Sequence, residues 1–361
     1  MKIYLYISAF GRGGAERVIA NLANQFHENG HQVGLINTLA VENEYPVPEG
    51  VERFYLEKHD EKILSVLKRN ISRIKKLRKI VKDNQPDVLI SFLAEPNFRT
   101  ILACRGVKTK TILSVRNDPN KEYGSKLTRF LAKSLFKKAN GMVFQTEDAR
   151  AWFPKKIQRK SVVLFNQVNP VFYEQKFSGE RKHIVTVGRL MKQKNHELLI
   201  RAFAAIHKEI ADDLCIYGEG ELRESLQLLI DQLGVQDRVH LLGSKNEIEK
   251  EIVGAKLFVL PSDHEGMPNV LLEAMALGLP CISTDCPCGG PRALIQNGEN
   301  GWLTAVGNVE EMSSAIKEAL SLSNEERDRI GKNASFTAEQ FKPQKIFKQW
   351  EEYVHSVVET R

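Results

Sequence analysis

Residues 257–280, LFVLPSDHEGMPNVLLEAMALGLP, decide how the chain is read. Leu257, Phe258, Val259 and Leu260 make the short apolar run that a strand buried on both faces requires, and Pro261 ends it. A polar turn with Glu265 and Gly266 follows, and after Pro268 and Asn269 the apolar residues recur at helical spacing. Glu265 is thus expected in a loop at the C-terminal end of a strand, and Glu273 in the first turns of the next helix. Open α/β sheets bind ligands at that edge, which makes the two acids candidates for one crevice. Taken alone, they read better as a solvated loop residue and a surface helix position. The rest of the chain changes that balance.

Upstream and downstream of this unit, short apolar runs alternate with helical patterns. Strands are expected at 2–8, 32–38, 86–92, 109–115, 141–145 and 161–165, with helices near 14–29, 62–82, 96–105, 124–138 and 147–153. Irregular text with Pro170, Gly179 and a charge cluster then reads as a linker. The alternation restarts with strands near 183–187, 213–217, 238–242, 257–260 and 280–284. Helices are expected near 195–210, 220–233, 246–253, 269–278, 290–296 and 308–322. Such alternation predicts α/β architecture, with two doubly wound parallel-sheet domains, Rossmann-like in kind, facing across a cleft. The divisions are 1–168, a linker at 169–182, and 183–342. An amphipathic helix at 343–361, with Phe347, Trp350 and Val354 on one face, is expected to pack back on the N-terminal domain.

The chain of 361 residues exceeds the usual single-domain size, and 42% hydrophobic with 27% charged residues is ordinary for a globular protein. It contains no apolar run of bilayer-spanning length. The opening MKIYLYISAF reads as a first buried strand rather than a leader, because no small-residue cleavage site follows. Five scattered cysteines suit free thiols in a reducing cytoplasm. Cys281, Cys286 and Cys288 lack the spacing of a zinc knuckle, and no metal is expected.

A net charge of +7 asks for an anionic partner. Residues 62–82, KILSVLKRNISRIKKLRKIVK, hold nine Lys or Arg and no acid, with Ile63, Leu67, Ile71, Ile74, Leu77 and Val81 at helical spacing. They predict an amphipathic helix with its apolar stripe toward the core and a basic face outward. A second basic helix is expected at 126–138, KLTRFLAKSLFKK. Either alone reads as well as a solvated face; two in one half of the chain favour anionic lipid headgroups. Nucleic acid is not expected, since no module or aromatic-interleaved basic stretch for it is present.

Two further turns invite anions. Gly13 and Gly14 stand between the first strand and its helix, where backbone amides can approach a bound group. The GxGxxG spacing fails, so this turn alone is more readily structural. In HIVTVGRLMKQKN, Gly188, Arg189 and Lys194 fill the loop after the first strand of the second domain. Arg can fork onto a diphosphate and Lys can act as a point charge, although alone both would read as surface cations.

These features together resemble the GT-B glycosyltransferases of the large retaining family 4. The resemblance rests on GGAER at 13–17, VGRLMKQKN at 187–195, YGEGELRESL at 217–226, SDHEGMPNVLLEAMALGLP with its E-x7-E spacing, and GPRALIQNGENGWL at 290–303. It is similar to the bacterial members that extend lipid-linked oligosaccharides. What it implies is a UDP-sugar donor held mainly by the second domain, with no cofactor and no metal; no DxD motif occurs. Arg189 and Lys194 would hold the diphosphate and offset charge on the leaving group. Amides around Gly266, Met267, Asn269 and Val270 would extend that cradle, whereas Pro268 has no N–H to give. Glu265 would bind the transferred sugar and Glu273 the ribose. Gly13 and Gly14 would close on the phosphates and acceptor.

Relatives often carry a histidine near the position of Arg116. Arginine cannot serve as a general base, so Arg116, with Asn117, reads either as a phosphate or acceptor contact or as a loop arginine paired with Asp118. The implied activity is retaining transfer of a hexose or N-acetylhexosamine from a UDP-sugar to a lipid-linked glycan acceptor, in the cytoplasm at the inner face of the membrane. The alternatives are a family 4 transferase with a soluble acceptor and a GT-B-like nucleotide-sugar epimerase.

Overall fold

The structure, a computed structural model, describes residues 1–11, 13–57 and 65–360. The chain divides into two compact units, Met1–Asn166 with Ile346–Arg361, and Gln167–Lys345.

The first unit is built on seven strands: β1 Lys2–Ile7, β2 Gln32–Asn37, β3 Glu52–Tyr55, β4 Val88–Phe92, β5 Lys110–Ser114, β6 Gly141–Phe144 and β7 Ser161–Val163. All pair in parallel in the order β3-β2-β1-β4-β5-β6-β7. β1 is buried along almost its whole length because helices cover both faces of the sheet. Gly34 of β2 makes room for the Tyr4 ring, whose atoms would lie 2.4 Å from a Cβ there. The C-terminal helix, Pro343–Glu359, buries Ile346, Phe347, Trp350, Val354 and Val357. Trp350 stacks on Phe92, the Tyr353 hydroxyl accepts from the Met142 amide at 2.8 Å, and Phe347 meets Phe26 edge-on. Gly141 allows this approach, since a Cβ there would sit 2.5 Å from the Tyr353 oxygen.

The second unit holds six strands: β8 Lys182–Val187, β9 Leu214–Tyr217, β10 Val239–Gly243, β11 Ala255–Leu260, β12 Cys281–Thr284 and β13 Trp302–Thr304. Their order is β10-β9-β8-β11-β12-β13, again all parallel. Leu257 and Val259 enter one core with Ile184, Leu199, Phe203, Ile216 and Ile282. In each sheet the strand order reverses beside the first strand of the unit, between β1 and β4 and between β8 and β11. Open sheets bind ligands at the carboxyl ends beside such points.

The structure departs from the sequence expectation at several elements. β3 and β13, four and three residues long, carry no apolar run to announce them. The helix expected near 290–296 is a series of turns. The one expected at 147–153 is shorter, Glu147–Ala151, and a second short helix not anticipated, Lys155–Gln158, follows Pro154. A helix at Asn324–Ala338 is not anticipated by periodicity, because what it buries is mostly small or charged: Gly331, Ala334, Ala338 and Arg327 beside Ile330.

The first basic helix runs Val66–Asn84, and residues 62–64 of the expected segment lie outside the described residues. Among the described members of its expected apolar stripe only Leu77 and Val81 are buried; Leu67 and Ile71 face solvent, as does neighbouring Val66, Leu67 being 72% exposed. Its basic face is not wholly outward either. Arg69 and Arg73 both close on the Glu57 carboxylate, and Arg78 donates to the carbonyls of Ala103 and Arg105. Glu57 is held down at about 2 by the two guanidinium groups. The second basic helix runs Lys126–Leu135 and exposes Leu127 and Phe130. No helix among the described residues is long and apolar enough to cross a membrane.

Candidate active site

The loop after β8 carries Gly188, Arg189 and, in a 3-10 turn Lys192–Lys194, the second cation. Asn195 adopts a left-handed conformation (φ 44°) and caps the helix His196–Ile206 by accepting from the Leu198 amide at 3.1 Å. The same side chain donates to Asp263 at 2.7 Å, in the loop after β11. Gln193 adds two links: its amide group donates to the His264 carbonyl at 2.9 Å, and its carbonyl accepts from the Asp263 N–H at 2.9 Å. The loops on either side of the strand-order reversal are therefore stitched into one surface.

On it, Lys194 Nζ meets Glu265 Oε1 at 2.6 Å, and Ser262 donates to the same oxygen at 2.7 Å. Both charged side chains are largely buried, at 16% and 8% exposure, so water screens the pair weakly. The Glu265 backbone is fixed as well, its N–H donating to the Pro287 carbonyl and its carbonyl accepting from Cys288. Close approach of that segment depends on Gly290, where a Cβ would lie 1.9 Å from the Gly266 oxygen. Arg189 is exposed and makes no side-chain ion pair among the described residues. Gly266, Met267 and Pro268 are buried, Asn269 and Val270 partly so, leading into the helix Asn269–Ala276. Pro268 occupies the cap, with no side-chain hydrogen bond there, and the helix N-terminus carries a partial positive charge. Glu273 lies buried one turn into this helix.

Sequence reasoning missed His196, which is buried against the β8 loop, its Nε2 3.6 Å from where a Gly188 Cβ would stand. Burial pushes its pKa down to about 4, so the imidazole is neutral at physiological pH. It missed Ser262, Asn195 and Asp263 too. Their only signal is position within the loops flanking the two cations and the first acid.

In the first unit, Gly13 caps the helix Gly14–Glu28; a Cβ there would fall 2.3 Å from the Glu16 carboxylate. Arg12 lies outside the described residues. Arg116, just past β5, is not the loop arginine paired with Asp118: it is 5% exposed and bonds Asn166, while Asp118 caps a short helix through the Asn120 amide. Asn117 beside it is exposed. Burial lowers the Arg116 pKa to about 9, and the guanidinium lies over the Phe92 ring at 5.5 Å. The Gln145 side-chain amide packs against both Arg116 and Asn166, its oxygen accepting from Asn166 at 2.9 Å and from Arg116 at 3.2 Å, and Asn97 bridges Ser91 and the Ser114 carbonyl. Glu122 completes this polar group: burial raises its carboxyl to about 7, against the pull of the Ala94 and Asn117 amides and the charge of Arg116. Neither Glu122 nor Asn166 sits in a sequence motif that would mark it.

Cys281, Cys286 and Cys288 are all buried free thiols. Cys288 donates from sulfur to the Glu265 carbonyl at 3.7 Å.

Comparison with known proteins agrees with this architecture. Residues 12–172 match the model described as Glycosyltransferase Family 4, and residues 171–335 that of Glycosyl transferases group 1. The chain is 31% identical over 339 residues to the N-acetylgalactosamine-N,N'-diacetylbacillosaminyl-diphospho-undecaprenol 4-alpha-N-acetylgalactosaminyltransferase of Campylobacter jejuni, covering 88% of this chain and 90% of that protein. It is 29% identical over 362 residues to a second transferase of that organism, GalNAc-alpha-(1->4)-GalNAc-alpha-(1->3)-diNAcBac-PP-undecaprenol alpha-1,4-N-acetyl-D-galactosaminyltransferase, with 97% of each chain covered. Among solved structures, Anabaena HepE in complex with UDP superposes with a TM-score of 0.83 at 19% identity, over 99% of this chain and 100% of the other. With its two parallel-sheet units and both domain models matched in order, the chain belongs to the GT-B glycosyltransferases of family 4.

Proposed function

We propose that the protein is a retaining transferase that moves a hexose or N-acetylhexosamine from a UDP-sugar to a lipid-linked glycan, in bacterial surface polysaccharide or glycan assembly. The observation that carries the donor half of this reading is the Lys194–Glu265 pair beside exposed Arg189, on loops stitched together at the reversal of the second sheet. A donor needs cations for its diphosphate and a carboxylate for its hydroxyls. Here both kinds of group share one small surface. Arg189 and Lys194 take the diphosphate, and the N-terminus of Asn269–Ala276 adds its dipole to charge developing on the departing UDP. Once Lys194 turns to phosphate, Glu265, still held by Ser262, has an oxygen for the sugar hydroxyls. Glu273 binds the ribose. A donor phosphate oxygen accepts the acceptor's proton, so no carboxylate nucleophile is required.

Arg116 and Asn117 are assigned to the acceptor or a phosphate, and Gly13 and Gly14, at the start of the first helix, to the donor phosphates and the acceptor. UDP bound to HepE and the lipid-linked substrates in the Campylobacter enzymes' names support the two halves of the assignment. Exposed Val66, Leu67 and Ile71, and exposed Leu127 and Phe130 among lysines and arginines, suit a peripheral position on an anionic inner membrane face.

The test is incubation with a panel of UDP-sugars and a polyprenyl-diphosphate-linked oligosaccharide, followed by mass spectrometry. A gain of one hexose or N-acetylhexosamine on the lipid-linked glycan is expected. Interconversion of free UDP-sugars, or transfer to soluble sugars alone, would replace this reading with one of its alternatives. Glu265→Gln keeps the fold and is expected to lower turnover on the order of 10²–10³-fold, the cost of removing one preorganised polar group.

A further inference from the structure

The C-terminal helix carries Glu351 and His355 one turn apart, and both side chains stand on the same face. Opposite them is His31, at the entry to β2. Its Nε2 lies 3.3 Å from Glu351 Oε1, and its ring centroid 6.1 Å from that of His355. One ligand atom from each of the three residues falls within 4.8 Å of the other two. We propose that His31, Glu351 and His355 form a binding site for a zinc-class divalent ion, which pins the C-terminal helix to the first unit.

Two imidazoles and one carboxylate are the donor set that borderline ions such as Zn²⁺ take, with a water in the fourth position. Bonds of about 2.0–2.2 Å to a central ion need ligand atoms a little over 3 Å apart, and the His31–Glu351 distance already meets this. Only the His355 side must close, by a rotation of an exposed side chain on a helix surface. The surroundings hold the fixed half of the site in place. Phe26 lies edge-on to His31 at 5.7 Å and also packs on Phe347 of the same helix. His31 turns Nε2 toward Glu351 and Nδ1 toward the Met1 amine, 3.2 Å away, and a metal on Nε2 places the ring proton on Nδ1, facing that amine. Glu359 lies 3.9 Å from Nδ1 of His355, a second carboxylate near that ring but beyond hydrogen-bond distance. His31 is nearly buried while Glu351 and His355 are reachable from solvent, so an ion has a path in. None of the three residues is assigned to donor or acceptor, and the proposed role is structural.

The test uses the full-length, tag-free protein and ZnCl₂ alone, by calorimetric titration and by thermal unfolding. One Zn²⁺ per chain is expected, with a rise in the unfolding temperature as the ion is added. His355→Ala removes a half-exposed side chain without disturbing the core, and Glu351→Gln keeps the size of the group. Each should weaken binding by at least about 10–100-fold and abolish the thermal shift. Equal uptake by wild type and His355→Ala would overturn the site. So would thiolate charge-transfer bands in the Co²⁺-loaded protein, because they would place the ion on cysteine.

Discussion

Glu265 and Glu122 show how two carboxyl groups near sheet edges come to differ. Glu265 is paired with Lys194 and accepts a hydrogen bond from Ser262 on the same oxygen. Glu122 is buried behind Arg116, and burial outweighs the guanidinium, so its pKa rises to about 7. The folded state therefore binds this proton more tightly than the unfolded chain, whose carboxyl has its ordinary value near 4.5. Stability from Glu122 is fully present below about pH 4.5 and is lost as pH rises through about 7, by about 3 kcal/mol in all. Glu122→Gln should flatten that part of the profile. Urea unfolding at about pH 5 and about pH 8 reads it, and equal slopes for variant and wild type would refute the buried neutral acid. The contrast also marks the limit of what residues disclose by themselves. Glu265, Arg189 and Lys194 stand in strand–loop–helix units whose punctuation is visible in the chain. Glu122, Asn166 and His196 owe their character to burial beneath other loops, and nothing adjacent in sequence reports it.

Among elements, legibility followed apolar content. β11 could be read because all four residues from Leu257 to Leu260 are apolar and buried. The Glu52–Tyr55 strand, at an edge, is two charged residues followed by two aromatic ones, and the Asn324–Ala338 helix buries mostly glycine and alanine, which leave no hydrophobic period. The helix Val66–Asn84 was legible as a helix but not in its contacts. Its Arg69 and Arg73 are spent on Glu57, so the positive charge open to a lipid surface rests on lysines such as Lys68 and Lys75. On Lys126–Leu135, Leu127 and Phe130 project into solvent one turn apart, at 66% and 68% exposure, next to Lys126 and Arg129 in the chain. Few folded-state contacts restrain them, so changing both to serine should leave thermal stability within about 0.5 kcal/mol. Insertion of these two side chains into the interface predicts that the double variant loses sedimentation with anionic vesicles at low salt. Wild type should lose it only as salt rises, because the lysines and arginines act through a screened field. Unchanged sedimentation of the variant would remove this helix from the proposed membrane contact.

For the molecule as a whole, the chain begins and ends in the same compact unit, with β1 at one end and Ile346–Glu359 at the other. The first unit is therefore incomplete until the last residues are in place. Trp350 is the largest fully buried side chain of that closing segment, stacked on Phe92 at the end of β4. Tyr353 next along the helix accepts from the Met142 amide and donates to the Lys160 carbonyl, so β6 and the residue before β7 depend on the same helix. Trp350→Ala would leave a cavity among Phe92 and its neighbours and should cost about 3–5 kcal/mol. A loss of that size need not be shared by the second unit, whose core around Leu199, Phe203 and Val259 is its own. Hydrogen exchange followed by mass spectrometry separates the two outcomes. Peptides of β1, β4 and β6 should lose protection in the variant, while those of β8, β9 and β11 keep theirs. Equal loss in both sets would mean that the units unfold as one cooperative block, and the closing helix would then stabilise the enzyme globally rather than through the first sheet.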